Sequence, residues 1–218
     1  MITRFSVPNL SDCSIHLSKV ASGKLKPDLI LLNCKILSTY TEKIIKNKEI
    51  WISKGRIACI QESGRAKQKF NIKSIKTYDA QKNILAPGLI DPHMHIESSM
   101  MTGCAYAEAA LLNGTTTIFC DSHEIGNVSD VEGIEWMLED CRRAPLSIFL
   151  TLPSTIPATN DILETSGGSI TALKASKLFE NWPEIRRWSA KYYFGGHPQL
   201  FLYCLFRENI CRSHVLWE

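Results

Sequence analysis

Two histidines one residue apart, His93 and His95, sit in the run LAPGLIDPHMHIESSMM, followed by the carboxylate of Glu97 and the hydroxyls of Ser98 and Ser99. On a strand, side chains two residues apart point to the same side, so both imidazoles can reach one point. Imidazole suits zinc, iron, nickel or copper, and an open site with few protein ligands is the catalytic arrangement. Asp91 precedes the pair at the same spacing, where a carboxylate can orient a ligand or the metal's water from outside the coordination shell. Spacing alone leaves a metal site and two unrelated histidines equally open. The flank favours the metal, because an apolar strand ending in titratable residues is how the site-bearing end of a parallel α/β barrel reads.

The elements that must position these residues can be read on both sides. Residues Ile84 to Ile90 read as a buried strand interrupted at Pro87-Gly88. Before it, after a polar start that forms a short helix or an arm, short strands alternate: DLILLNCKIL, EKIIKNKEIWIS, GRIACIQE and SIKTYDA, with Gly55 supplying a hairpin turn. After it the period changes. Residues 103–113 read as a buried helix capped by Gly114, and Thr115 to Cys120 as a β-branched strand running into Asp121-Ser122-His123-Glu124. Ser129 opens a capping box with Glu132, and Val131, Ile134, Leu138 and Cys141 form the apolar stripe of that helix. Pro145 ends it, Leu146 to Leu152 is the next strand, and a helix follows over about Thr171 to Asn181.

This alternation predicts a parallel α/β arrangement whose polar clusters follow successive strands. Asp121 and His123 repeat the spacing of the first pair, and either bind metal or substrate or form a hydrogen-bonded structural pair. Glu124 reads as a carboxylate at a helix N-terminus. The stretch Leu152 to Thr159 reads either as a substrate loop or as a Pro-rich connection without chemistry.

Composition removes several function classes. Residues 1–85 carry 16 Lys/Arg against 6 Asp/Glu, and residues 86–180 carry 4 against 13. The basic lysines are scattered through strand alternation without interleaved aromatics, which describes a solvated sheet face and not a nucleic-acid surface. The acidic middle suits a site for cations. Eight cysteines form no CxxC pair, and no export signal precedes them, so free thiols in a cytoplasmic, soluble protein are expected. No apolar run is long enough to span a bilayer.

PGLIDPHMHIE resembles the first barrel strand of the amidohydrolase superfamily, whose members place a short β-sandwich before a metal-binding barrel. The ordered blocks HIESSM, NGTTTIFCDSHEIGNV, VEGIEWMLED, LPSTIPAT and ETSG resemble, within it, the bacterial-type adenine deaminases. That resemblance implies hydrolysis of adenine to hypoxanthine and ammonia, with Mn2+ or Fe2+, or else Zn2+, at a one- or two-metal centre. It implies His93 and His95 as ligands, with Asp121 a further one, and Glu97 and His123 as groups that contact substrate or carry protons. The His95-Ile96-Glu97 triplet also matches half of the zinc nucleobase-deaminase signature, but the required P-C-x-x-C is absent.

The fold so implied is α/β: residues 1–83 an arm and small β-sandwich portion, 84–185 the first part of a TIM-like barrel, and 186–218 a divergent tail. A full barrel needs roughly 250 residues, about twice the length of chain that remains from Ile84 onward. The resemblance fades after Trp182-Pro183-Glu184-Ile185, so a frameshift or early end is expected there, and His197 and His214 in the tail take no ligand role. The partner is a small molecule. A homo-oligomer is implied for the family but not expected of so short a chain. Two alternatives stand beside the deaminase: an inactive piece of such an enzyme, and an amidohydrolase acting on another cyclic amide or base.

Overall fold

The computed structural model describes residues 7–153, 156, 157, 159, 162, 163, 165–182 and 185–188. Beyond the backbone of 186–188, the tail on which the frameshift expectation rests lies outside the described residues. The chain divides into two units, with the boundary after Pro87.

The first unit contains α1 (Leu10–Ala21), β1 (Leu29–Ser38), β2 (Lys43–Ser53), β3 (Arg56–Glu62), α2 (Arg65–Lys69), β4 (Lys76–Asp79) and β5 (Ile84–Leu85). Its five strands form one sheet in the order β3-β2-β1-β4, with β5 also on β1. Lys54 and Gly55, both at positive φ, make the two-residue turn between β2 and β3, the geometry a right-twisted hairpin favours. Successive residues of β2 face opposite sides. Trp51 therefore joins Val20, Ile30, Ala66 and Ile75 in one apolar cluster, while Ile50 joins Cys34, Ile36 and Ala80 in another.

The second unit contains β6 (Leu89–Met94), α3 (Gly103–Leu112), β7 (Thr115–Asp121), α4 (His123–Arg143), β8 (Ser147–Leu152), α5 (Ala172–Asn181) and β9 (Ile185–Trp188). The strands pair in parallel and in chain order, β6-β7-β8-β9, with one helix in each crossover. Ile118, Cys120, Ile148, Leu150 and Leu152 alternate onto the helix side, where they pack with Ala107, Ile134, Leu138, Ala175 and Leu178. Each such side chain, buried to within a few per cent, contributes roughly 1.5–3 kcal/mol. This is the parallel βα pattern expected from the sequence, and it leaves the strand carboxyl ends together on one rim.

The strand read over Ile84 to Ile90 is in fact two strands in two sheets. Pro87 has no N–H to give a ladder, so pairing to β1 stops at Leu85 and pairing to β7 resumes at Leu89. Gly88 is required where it stands, because a Cβ there would overlap the Thr116 side chain. The run is also not buried: β6 ends the described sheet, and Leu89 and Ile90 are 62% and 47% exposed.

A second correction concerns α4. It begins at His123, directly after β7, and Ser129 and Asp130 are a kink inside it instead of the opening of a capping box. Asp130 (φ 55°, ψ −145°) places its own Oδ1 2.7 Å from the backbone N–H of Val131, which restarts the helix.

Candidate metal centre

The sequence-predicted residues come together at the carboxyl ends of β6 and β7. His93 is next to last in β6 and His95 follows the strand. Their Nε2 atoms are 3.2 Å apart, with the rings at 83° to one another. A metal–nitrogen bond of 2.0–2.1 Å at a tetrahedral or octahedral angle separates two ligand nitrogens by about 2.9–3.4 Å. Asp121, only 2% exposed, offers a carboxylate at the same point, and the donor atoms of the three residues lie within 4.8 Å of one another. Two imidazole nitrogens and a carboxylate oxygen are a donor set for a divalent transition metal, so the residues present fit such an ion.

His95 uses both ring nitrogens. Nε2 faces His93, and Nδ1 lies 2.9 Å from Oε2 of Glu124 in the first turn of α4. The tautomer that satisfies both contacts donates from Nδ1 to Glu124 and leaves Nε2 as an acceptor or ligand. A carboxylate behind a ligating histidine fixes its ring and raises its basicity. Glu124 also accepts from Ser98 Oγ at 3.2 Å and lies 3.3 Å from His123 Nδ1. Burial pushes the Glu124 carboxyl up, but the hydrogen bond from His95 and the adjacent His123 outweigh it and hold the group below its ordinary value. His95, His123 and Glu124 form a second, overlapping set of donors.

Asp91 does not reach an imidazole ring. Its Oδ1 accepts from the backbone N–H of His93 at 3.1 Å, and Asp121 Oδ1 accepts from the backbone N–H of His123 at the same distance. The two Asp-x-His steps are thus the same local bracket, one on each strand. Glu97, in a short 3-10 turn over Glu97–Ser99, accepts from the backbone N–H of Ile125 at 3.4 Å and lies 4.0 Å from the Cys120 thiol. Burial pushes its carboxyl up, and the nearby Glu124 adds to the rise. Glu97 therefore meets the start of α4 and not the two histidines of β6.

Sequence reasoning named Glu124 only as a helix-start carboxylate and passed over Ser98. The signal for Glu124 was its place directly after an Asp-x-His step on a second strand. Between Asp121 and His123, Ser122 is fully buried and its Oγ has no hydrogen-bond partner; the same holds for Thr117 Oγ1, which alternates onto the Asp121 side of β7. Such orphaned polar atoms are uncommon in native interiors and collect near sites. Of the predicted loop Leu152 to Thr159, Pro153 and Ile156 are buried, Ile156 as part of the core, while Ser154, Thr155 and Ala158 lie outside the described residues.

Residues 84–197 match the amidohydrolase family. Over 183 residues the chain is 58% identical to a protein of Chelativorans sp. named adenine deaminase, covering 84% of this chain and 30% of that one. It is 59% identical over 183 residues to a Rhizobium johnstonii protein named adenine deaminase 3, with the same coverage. A Thermosipho melanesiensis adenine deaminase is 44% identical over 165 residues, covering 75% of this chain and 27% of that one. The chain thus spans about 30% of the length of the first of these curated relatives. With a family match over more than half its residues and paired histidines at the end of the first parallel strand, the chain belongs to the amidohydrolase family.

Proposed function

We propose that this chain is the metal-binding first part of an adenine-deaminating amidohydrolase, with residues 1–83 forming the small β-portion and 84–185 the first part of the barrel. The observation that carries the reading is the convergence of His93 Nε2 and His95 Nε2, 3.2 Å apart, beside the buried carboxylate of Asp121. Relatives named adenine deaminase support adenine as substrate and hypoxanthine and ammonia as products. The site would hold Mn2+ or Fe2+, with Zn2+ a further fit to the same donors. When bound, a divalent metal supplies Lewis-acid activation of water for hydrolysis.

The chain's own residues have distinct tasks in this reading. His93, His95 and Asp121 bind the metal, and Glu124 holds the His95 ring in its ligating tautomer. Deamination replaces the amino group on the ring carbon by the water oxygen, so a proton must reach the departing nitrogen. His123, half exposed beside Glu124, is placed to carry that proton. Glu97, which burial favours in its neutral form, is a second carrier. Among the described residues no helix is long and apolar enough to cross a membrane, and the proposed setting is cytoplasmic purine salvage.

A second reading, metal binding without turnover, is favoured by the donor count: among the described residues, two imidazoles and one carboxylate meet at this point. One experiment treats both. The 218-residue chain is titrated with Mn2+ by calorimetry and assayed for ammonia release from adenine. Turnover abolished by His93→Ala supports the deaminase in this chain. Metal binding that His95→Ala removes, without turnover, supports the second reading. No metal binding removes both.

A further inference from the structure

The kink in α4 is held from outside the helix, by the segment that precedes α5. Gly167 and Gly168 both donate their backbone N–H to the carbonyl of Asn127, at 2.7 and 3.0 Å. Ser166 Oγ donates toward the same carbonyl at 3.1 Å. Ser169 N–H reaches Asp130 Oδ2 at 3.3 Å, and Lys174 Nζ pairs with that carboxylate while donating to the Ser169 carbonyl at 2.8 Å. The approach is close enough to demand glycine. A Cβ on Gly168 would stand 2.8 Å from Asp130 Cα and overlap the Gly126 carbonyl, and one on Gly167 would overlap the Val128 carbonyl. Asp130 itself, at φ 55° and ψ −145°, keeps a backbone conformation that non-glycine residues hold only when their surroundings impose it.

What this segment grips is short. The helical piece before the kink starts at His123 and Glu124, and the grip begins at Asn127, one turn later. The piece after the kink, from Val131, is fixed separately by Ile134, Leu138 and Cys141 in the core. The first piece carries the carboxylate that orients His95, so its placement sets the geometry of the donor set.

We propose that Ser166, Gly167, Gly168 and Lys174 form a clamp on the α4 kink, and that Asp130 and Lys174 are positioning residues for His95 acting through Glu124. This rests on the metal-site reading above. The test compares the full chain with Lys174→Met, Lys174→Arg and Ser166→Ala, using hydrogen exchange and Co2+ titration followed by the visible ligand-field spectrum. In Lys174→Met, exchange over 124–128 is expected to rise about tenfold, with 131–143 unchanged. Co2+ affinity is expected to fall about tenfold with an altered spectrum, as when a ligand's supporting carboxylate is disturbed. Lys174→Arg restores both, and Ser166→Ala gives a milder form of the same change if Lys174→Met does not fold. Equal exchange changes on both sides of the kink, or none, would overturn the clamp. A selective exchange change with unaltered Co2+ affinity and spectrum would overturn the positioning role. If the unmodified chain binds no Co2+, the metal reading fails by itself, the positioning role falls with it, and exchange alone decides the clamp.

Discussion

Each unit buries one carboxylate almost completely, and the two are treated in opposite ways. Glu49 in the first unit, 0% exposed, accepts from Trp51 Nε1 at 2.8 Å and from the backbone N–H groups of Gly64 and Ala66 at 2.9 and 2.6 Å. Asp121 in the second, 2% exposed, accepts one backbone N–H, that of His123, and has imidazoles around the rest of it. An ionised carboxylate has about four acceptor sites, and burying them unfilled is costly. Glu49 is filled by donors that belong to the fold. Asp121 keeps acceptor capacity facing two histidines, which is how a group looks when a cation completes it. Burial alone does not separate a structural carboxylate from a working one; the identity of the donors does.

Substitutions can break this contrast. The largest effect is expected from Glu49→Ala, which strands the Trp51 indole N–H and two backbone N–H groups: a loss of roughly 3–5 kcal/mol in denaturant unfolding of the first unit. A change below about 1 kcal/mol would erase the distinction. Next, Asp121→Asn and His95→Ala should leave stability within about 1 kcal/mol while lowering divalent-metal affinity on the order of 100-fold, measured by calorimetry. If Asp121→Asn instead unfolds the chain and spares the metal, the two carboxylates are alike. Glu124→Gln should cost about tenfold in metal affinity, since the amide can still accept from His95 but without charge.

The smallest effect concerns a third, partly exposed carboxylate, Asp130. Burial pushes it up, but the hydrogen bond from Lys174 outweighs that and lowers it from its ordinary value. A lowered native pKa gives stability that is present above the unfolded value, near 3.9, and lost as pH falls through the native one. Asp130→Asn should therefore destabilise by less than about 1 kcal/mol at pH 7, a difference that closes below roughly pH 4. Urea unfolding at pH 7 and pH 3 checks it; a difference that grows in acid would contradict the assignment.

The alternation of β-branched runs with one-sided apolar stripes made the second unit legible, because parallel strands and crossover helices differ in period. His93, His95, Asp121 and His123 were legible for the same reason, each standing where a strand's apolar run ends. Glu49 was not. It lies between Lys48 and Ile50 in an alternating strand, where a glutamate reads as solvent-facing, and two of its donors are fifteen and seventeen residues away. The kink was hidden too, since its cause is a segment almost forty residues further on. The Pro87-Gly88 interruption was visible, but that it separates two sheets depends on pairing partners that local sequence does not name.

The bracket that ties Asp91 to the His93 backbone recurs, with the same length, between Asp121 and His123. Each strand therefore arrives with its donor and the fastening of that donor already in one three-residue unit. Such a site is assembled from interchangeable parts. A strand can gain, lose or exchange its donor without disturbing the support of its neighbour, so a new chemistry on this rim needs only a local edit.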